Sequence, residues 1–269
     1  MGMGIETVGF SLSNAATATA QAMAALNGQS ATIRATANGN APVTLIGEST
    51  YFEDSGDFRV RSPRMHDDVN GIRLAAPAGL VQWAAEEYFL QRLYSQDTLT
   101  VEGVFSAAPT VAHISLGYLQ IYYDDVPGIA ANLRAWTEVQ PNIVDYLVIP
   151  VSPESSVTAG NWGGGVALNS TVDVFKANTL YALIGYLAPV KFGAFTIQGV
   201  DIGNLQFGGP GSNSSIETRA YFPRLSSATG KPCIPVVNSQ NKASTLVSIS
   251  DQVASTTYEM SLIFAQLSA

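Results

Sequence analysis

Charged side chains are scarce in this chain. They make up 13% of its 269 residues, whereas about a quarter of the residues in an average domain are charged. Lysine and arginine together number 13 against 21 acidic residues, the net charge is −8, and no window holds a basic cluster. Because phosphate binding needs clustered cations, we do not expect direct or sequence-specific nucleic-acid binding.

Cysteine, basic residues near the start and long apolar runs are also missing. Cys233 is the single cysteine, which excludes an internal disulfide. No lysine or arginine precedes Arg34, so the alanine-rich start lacks the basic region of a secretory signal and we expect it to belong to the mature protein. The longest apolar stretches, 111–123 and 179–190, are too short to span a bilayer, so we predict no transmembrane helix.

Apolar residues, by contrast, are plentiful at 46% of the chain. With so little charge, much of the surface must be neutral polar or apolar, and large uncharged patches favour association. This composition favours a subunit whose flanks are covered by neighbours. A monomer with a surface of Ser, Thr, Asn and Gln is the alternative.

Short alternating segments separated by turn residues dominate from Ser30 onwards, which is typical of a mainly β sandwich or barrel. We expect an N-terminal arm over 1–29, a first β lobe over 30–144 and a second over 145–269. The predicted strands are 31–37, 43–48, 57–61, 71–75, 98–106, 111–123, 146–151, 166–168, 179–187, 191–200, 205–207, 218–221, 234–237, 244–249 and 256–266.

Three segments are predicted to be helical. Residues 12–26 are rich in alanine and charge-free, so we expect a helical arm that orders only against a neighbouring subunit, with a disordered tail as the alternative. A mostly apolar helix is predicted over 79–94, and a second over 127–138, where Asp124 or Asp125 would complement its positive end.

The sequence contains one approximate internal repeat. Residues 98–121 and 179–202 each begin with Thr-Leu, run into a strand, turn near an Ala-Pro pair and return as another strand. This pattern predicts two similar β lobes in tandem, with two unrelated hairpins or chance as the alternatives.

No catalytic, cofactor-binding or metal-binding residues are predicted. His66-Asp67-Asp68 is the most polar cluster of the first half, but it lacks a third partner at a usable spacing. A solvated turn, with Arg64 balancing the acids, explains it better. His113, the only other histidine, lies on a different predicted element. We therefore expect no enzymatic activity and no cofactor.

The glycine-rich segments 160–165 and 208–213 do not match a phosphate-binding loop, since neither contains Gly-Lys-Ser/Thr. We expect both to be surface loops. Trp162, which lies among the glycines of the first, is either a contact residue for a partner or folds back onto the sandwich. Cys233 has no basic neighbours that would activate it, so we expect a small core residue.

These features together resemble the jelly-roll major capsid proteins of tailless icosahedral bacteriophages, especially the double-jelly-roll kind. The shared features are a weakly charged N-terminal arm, two β-rich halves, an inserted helix and loops of Gly, Asn and Ser over about residues 30–269. The resemblance implies a virion location, trimeric capsomers that contact further copies and other capsid proteins, often above an internal membrane, and no catalysis. At 269 residues the chain is short for two eight-stranded lobes.

Two other functions stay open. In a carbohydrate-binding or adhesin-type sandwich, Trp83, Trp136 and Trp162 or the tyrosines would form a stacking face. The sequence has no ladder of spaced Asp residues for calcium, and two of these tryptophans fall in predicted helices. An unrecognised hydrolase lacks a Gly-x-Ser-x-Gly motif, since 209–212 has no following glycine.

Overall fold

The computed structural model describes residues 2–13, 18–37, 43–52, 54–65, 67–69, 71–76, 78, 80–83, 91–108, 113–128, 131–188, 192–203, 205–211 and 218–268. In these residues the chain forms antiparallel sheets and short helices. The elements up to Val126 are β1 Gly2–Ser13, β2 Gln21–Ala22, β3 Ala24–Ala25, β4 Val43–Phe52, β5 Gly56–Arg61, β6 Ile72–Ala76, β7 Leu80–Trp83, β8 Gln91–Leu93, β9 Thr100–Phe105 and β10 Ile114–Val126.

The second half holds the remaining strands and both described α-helices. They are β11 Leu133–Arg134, α1 Trp136–Val139, β12 Ile143–Val151, β13 Val166–Ala167, β14 Leu180–Leu187, β15 Ala194–Gln198, β16 Phe207–Pro210, α2 Tyr221–Thr229, β17 Ile234–Asn238, β18 Leu246–Ser250 and β19 Met260–Leu267. Single 3-10 turns cover Gln140–Asn142, Val200–Ile202 and Ser239–Asn241.

Strands β1 to β10 form two sheets. One has the order β3-β1-β10-β4-β7, with β8 also paired to β4, and the other has the order β2-β9-β5-β6. Strands β7 and β8 both pair antiparallel with β4, at its two ends, so they act as one interrupted strand. With the two-residue β3 set aside, the eight strands taken in chain order lie as 1-8-3-6 in one sheet and 2-7-4-5 in the other.

Strands β12 to β19 repeat this arrangement. Their sheets have the orders β12-β19-β14-β17, extended by β11, and β13-β18-β15-β16. In chain order these are again 1-8-3-6 and 2-7-4-5. Two four-stranded antiparallel sheets in this order form a jelly roll. The chain is therefore a tandem pair of jelly rolls, and we name residues 2–126 the first lobe and residues 133–267 the second lobe.

The core is divided in the same way. One buried cluster is built mainly from the first lobe and a larger one mainly from the second. Among the described residues no ladder of strand pairing joins the lobes. The predicted lobe limit at residue 144 lies inside β12. No helix of the described residues is long and apolar enough to cross a membrane.

Strand β10 is buried on both faces, which explains its almost uninterrupted apolar sequence. Leu119, Ile121 and Tyr123 point into the first-lobe core. The alternate residues Leu116 and Tyr118 instead pack in a cluster with Trp162 of the second lobe. Alternation along the strand was predicted, but a second covered face was not, because that face is closed by the other lobe.

The helix predicted over 79–94 is wrong at both ends, and residues 84–90 lie outside the described residues. Strand β7 occupies Leu80–Trp83 and strand β8 occupies Gln91–Leu93. Both pair with β4, which would otherwise leave an open edge. Tertiary pairing therefore overrides the helical preference of this segment.

The predicted N-terminal helical arm is also wrong. Strand β1 lies between β3 and β10 in its sheet, and β2 and β3 fall within the alanine-rich segment. Residues 14–17 are outside the described part of the chain. The segment is weak as a helix, and its backbone groups gain partners instead from β9 and β1, as in the bond from Met23 N–H to the Val101 carbonyl oxygen at 2.9 Å.

Helices in the second half lie elsewhere than predicted. Of the described residues within 127–138, only those from Trp136 onwards, where α1 begins, are helical, and residues 133–134 form a strand. Helix α2 begins at Tyr221, at the end of a predicted strand over 218–221, and ends where Gly230 takes φ of 65°. A left-handed glycine is a common helix stop.

The two segments of the internal repeat do not hold equivalent strands of the two lobes. Residues 98–121 hold β9 and most of β10, the seventh and eighth strands of their lobe, whereas 179–202 hold β14 and β15, the third and fourth. Neither pair is a hairpin, since its two strands belong to different sheets. The tandem lobes are present, but the residues that pointed to them are not related by the repeat.

Candidate functional site

The polar segment of the first half is a turn. His66 lies outside the described residues. Asp67 Oδ1 accepts a hydrogen bond from the Val69 N–H at 3.1 Å. Arg64, expected to balance the acids, donates to the Ser95 carbonyl oxygen at 3.1 Å. Among the described residues, no group of three or more His, Cys, Asp or Glu is placed to hold a metal.

His113 and Cys233, the other titratable candidates, are packed against side chains of the fold. His113 Nδ1 lies 3.6 Å from Asp54 Oδ2, and its ring meets Phe105 edge-on. Cys233 is fully buried, with its Sγ 3.7 Å from Thr229 Oγ1. Burial raises the pKa of the Cys233 thiol to about 12. A thiol that stays protonated at neutral pH is a poor nucleophile, as the sequence predicted for this residue.

Asp124 and Asp125 do not cap a helix, because both belong to strand β10. Asp124 forms an ion pair with Lys231 of the second lobe, with 3.4 Å between Oδ2 and Nζ. The same Nζ lies 5.1 Å from the centre of the Tyr122 ring. Asp125 is buried, on the opposite side of the strand. Asp124 therefore contributes to the contact between lobes, and the two carboxylates lie on opposite sides of the strand.

Trp162 folds back and closes the space between the lobes. It is 4% exposed and packs in a cluster with Leu26, Leu116, Tyr118 and Ala194, which come from both lobes. Its ring centre is 5.6 Å from that of Tyr118. The sequence left two roles open for Trp162, contact with a partner or folding back onto the sandwich, and the structure shows that it folds back. The glycine-rich segment 160–165 thus supplies a buried anchor.

Gln29 links the lobes by side-chain hydrogen bonds. Its Nε2 donates to the Thr7 carbonyl oxygen at 2.5 Å and to Gln206 Oε1 at 2.6 Å. Its Oε1 accepts from the Gly9 N–H at 2.7 Å and from Trp162 Nε1 at 2.8 Å. One amide group therefore ties strand β1 to two segments of the second lobe.

Gln120, on the face of β10 that meets the second lobe, makes a second link. Its Nε2 donates to the Gly208 carbonyl oxygen, and its Oε1 accepts from the Tyr221 hydroxyl at 2.8 Å. The Tyr186 hydroxyl donates to the Pro210 carbonyl oxygen at 2.5 Å nearby. These bonds satisfy buried polar groups that would otherwise be costly.

The second glycine-rich segment is not a surface loop over its described part. Gly208 and Gly209 belong to β16, which is fully buried, while 212–217 lie outside the described residues. A Cβ on Gly208 would approach the Phe195 carbonyl oxygen to 2.1 Å and Thr7 Oγ1 to 3.1 Å. Glycine is needed here because two backbones and the other lobe meet at close range.

A different face of the second lobe is open. Val144, Tyr146 and Val148 alternate along β12 and are 56%, 59% and 52% exposed. Strand β12 is the last strand of its sheet. Three neighbouring apolar side chains on an edge strand form the kind of surface that usually meets a partner. We name these three residues the β12 stripe.

The β12 stripe borders a groove of about 690 Å³ between the sheet and helix α2. Trp136, Ile263 and two residues of the stripe form apolar walls, and Arg219 and Arg224 stand on the helix side. Among the residues that the structure describes, no acidic side chain lines the groove. It can accommodate an apolar surface with a neutral or acidic rim.

Sequence reasoning missed the residues that join the lobes. Gln120 carried a usable signal, because a lone amide within the apolar run Leu-Gln-Ile-Tyr-Tyr must find hydrogen-bond partners if it is buried. Gln29 and Tyr221 carried none, since the partners that they meet in the opposite lobe lie more than a hundred residues away in the chain. Tyr146 and Val148 of the β12 stripe fell in the predicted strand 146–151 and Val144 lay before it, and their exposure was not predicted.

Comparisons with solved structures include two weak likenesses. No family model and no curated protein matches the chain. The crystal structure of PBSX exported protein XepA has a TM-score of 0.23 and 9% identity, covering 93% of this chain and 86% of that chain. The STIV MCP, a major capsid protein, has a TM-score of 0.23 and 7% identity, covering 99% and 96%. The strand order, rather than either likeness, identifies the fold.

Four buried tyrosines of the lobe cores and the lobe contact predict that the protein unfolds at alkaline pH. Burial raises the pKa of Tyr118, Tyr122, Tyr123 and Tyr186 above the unfolded value of about 10. The stability that these neutral phenols contribute is fully present below about pH 10 and is lost as the pH rises through their folded pKa values. We expect these four of the eleven tyrosines to ionise only together with the loss of the β circular-dichroism signal.

Spectrophotometric titration of tyrosinate, followed in parallel with circular dichroism, measures this. Tyr146→Phe, at a side chain that is 59% exposed, is the matched control and should leave the pH of unfolding unchanged. Ionisation of all eleven tyrosines in a single step near pH 10, with the fold intact, would contradict the burial described above.

Proposed function

We propose that this protein is a structural virion subunit, a major capsid protein that self-assembles into an icosahedral shell. The observation that carries the proposal is the repeated strand order, 1-8-3-6 and 2-7-4-5, in two jelly rolls of one chain. Jelly rolls build many viral capsids, although lectins and cupins also use them. The protein is proposed to act without catalysis and without a cofactor.

The lobe contact supports a mechanical role. Its hydrogen bonds and the apolar cluster around Trp162 are buried, and they join surfaces rather than enclosing a reactive group. Two lobes joined in this way form one building block with a flank on either side. Low charge and the open β12 stripe make those flanks suitable for contacts between copies.

The competing carbohydrate-binding function receives less support. One of the three tryptophans that would form its stacking face, Trp162, is closed between the lobes. The described residues also hold no acidic cluster of the kind that a calcium-dependent lectin uses. An aromatic pair remains at the groove, Trp136 and Tyr146, and a glycan array with the purified protein tests it directly.

The proposed function predicts a stable homo-oligomer, most simply a trimer. Multi-angle light scattering at low micromolar concentration should give three times the 28.3 kDa chain mass, and negative-stain microscopy should show discrete capsomers or shells. The contacts should persist in high salt, because few ion pairs are available and apolar contacts are not screened. A monodisperse 28.3 kDa species in both low and high salt would count against assembly.

In a virion this subunit would contact further copies of itself and other capsid proteins. An internal membrane beneath the shell is a further contact of the proposed role. Such a surface would be met without an anchoring helix from the described residues. Cryo-electron microscopy of assembled particles would identify each neighbour.

A further inference from the structure

The turn of the first lobe that contacts Trp162 contains an Asn-Gly pair. The Gln29 N–H donates to the Leu26 carbonyl oxygen at 3.0 Å, which closes a four-residue turn around Asn27 and Gly28. Gly28 has φ of 74°, as the third position of a type II turn requires. Both Asn27 and Gly28 are exposed, and they lie where the two lobes meet.

The Asn27 side chain holds the backbone of Trp162 from the other lobe. Its Oδ1 accepts a hydrogen bond from the Trp162 N–H at 2.7 Å, and its Nδ2 donates to the Trp162 carbonyl oxygen at 3.2 Å. The side-chain amide therefore pairs with both backbone groups of one residue, as a neighbouring strand would. Because one donor and one acceptor are needed together, an amide fits this position and a carboxylate does not replace it.

An Asn-Gly pair is also the sequence in which asparagine deamidates most readily, because glycine has no side chain to hinder ring closure. The Gly28 nitrogen attacks Asn27 Cγ, the bond from Cγ to Nδ2 breaks, and ammonia leaves with the proton of the attacking nitrogen. Water then opens the succinimide at either carbonyl group and gives aspartate or isoaspartate. The sequence has Asn-Gly pairs at 27, 38 and 70, and the structure describes the asparagine of the first alone.

The closed contact between lobes opposes this reaction. To reach the Gly28 nitrogen, Asn27 Cγ must turn away from Trp162, so both hydrogen bonds must break first. The neighbouring contacts resist this movement, because Leu26 packs with Trp162 in one apolar cluster and Gln29 Oε1 accepts from Trp162 Nε1 at 2.8 Å. A reaction that needs local opening proceeds in proportion to the open population. The rate at Asn27 therefore depends on how often the lobes separate here.

We propose that Asn27 is a deamidation site controlled by the contact between lobes, and that its modification weakens this contact irreversibly. In the product, a carboxylate oxygen replaces the Nδ2 donor that faces the Trp162 carbonyl oxygen, and two acceptors at this range repel each other. A chain that has stayed open long enough to react closes less well afterwards. The inference does not rest on the proposed function, since it concerns one chain and not the assembly of copies.

Peptide mapping by mass spectrometry, during incubation of the full-length protein at neutral pH and physiological temperature, measures the reaction. Aspartate and isoaspartate products are separated by their retention times. The synthetic peptide 21–34 gives the rate without the second lobe. Asn27 in the folded protein should react at least about tenfold more slowly than in this peptide, because only the open population reacts.

Trp162→Ala should raise the rate at Asn27 by at least about tenfold, because it loosens the contact and leaves the backbone groups of residue 162 in place. Val157→Ala, at a side chain that is 84% exposed, is the matched control and should react as the wild type does. If Trp162→Ala does not fold, urea below the unfolding transition of the wild type loosens the contact instead and should give the same direction of change.

Gly28→Ala tests the chemistry of the step. A Cβ at Gly28 meets nothing within 4 Å, so the added methyl group causes no clash, although the positive φ makes the variant somewhat less stable. The methyl group should slow ring closure in the peptide and in the protein alike. An unchanged rate in the Gly28→Ala peptide overturns the assigned reaction.

Asn27→Asp mimics one of the two products. Urea unfolding should show an unfolding equilibrium constant about tenfold larger than that of the wild type, because the donor to Trp162 is lost. Ser30→Asp is the matched control, since it adds the same charge to the same exposed turn and can still accept from the Thr32 N–H, as Ser30 Oγ does at 3.0 Å. Its unfolding midpoint should stay close to that of the wild type.

The outcomes separate as follows in these measurements. Slow reaction in the folded chain, faster reaction in Trp162→Ala and a less stable Asn27→Asp protein support the proposal. Reaction at Asn27 as fast in the folded chain as in the peptide overturns control by the lobe contact, and so does a rate that loosening the contact leaves unchanged. Asn27→Asp as stable as Ser30→Asp overturns the effect of the modification on the lobes.

Discussion

Replacing Trp162 with Ala is expected to lower the free energy of unfolding by about 3–5 kcal/mol, the usual range for removing a large buried aromatic side chain. The indole is 4% exposed and fills the space between lobes against Leu116, Tyr118 and Ala194. Neither lobe can collapse into the gap alone, because both backbones are held by their own sheets. Urea unfolding followed by circular dichroism gives the value.

Two further variants separate the packing of Trp162 from its hydrogen bond. Trp162→Phe keeps an aromatic ring but loses the Nε1–H bond to Gln29, so a smaller loss of about 1–2 kcal/mol is expected. Val157→Ala, at a side chain that is 84% exposed, should change stability by no more than about 0.5 kcal/mol. A Trp162→Ala protein as stable as the Val157→Ala control would contradict the buried anchor.

Gly208→Ala should destabilise the protein by about 3 kcal/mol, at the upper end of what overpacking costs. The added methyl group would stand 2.1 Å from the Phe195 carbonyl oxygen. That atom belongs to the neighbouring strand β15, which pairs with β16, so it cannot move without breaking the ladder. On the other side, Thr7 Oγ1 of the first lobe lies 3.1 Å from the same methyl position.

Gly164→Ala is the matched control for this prediction. A Cβ at Gly164 meets nothing within 4 Å, and the residue has no positive φ. Its thermal unfolding midpoint should stay close to that of the wild type. Equal midpoints for the Gly208 and Gly164 variants would show that β16 is not packed between the lobes.

The β class and the division into two β-rich halves were predictable, because they depend on local alternation and turn residues. Strand β10 illustrates this, since its apolar run requires a buried position in any fold of the chain. The buried character of Cys233 was predictable for a similar reason. A free cysteine is among the most often buried residue types, and its two uncharged neighbours in the sequence also tolerate burial.

Helix positions could not be predicted in the same way. Segment 79–94 has helical spacing, but the edge of β4 that β10 leaves free offers backbone hydrogen bonds to β7 at one end and to β8 at the other. The same holds for the alanine-rich segment 12–26, because its strands β2 and β3 pair with strands of two different sheets. In both cases the deciding partners lie far away in the sequence.

The sequence by itself determined the fold class, the shortage of charge and the lack of any recognisable motif for catalysis. Only the tertiary structure decided which surfaces are covered. Trp162 and the β12 stripe are both apolar side chains of the second half, and neither local sequence shows whether another lobe covers it. One is closed by the first lobe and the other is open, because burial depends on which lobe packs against which face, and that contact joins residues more than a hundred positions apart.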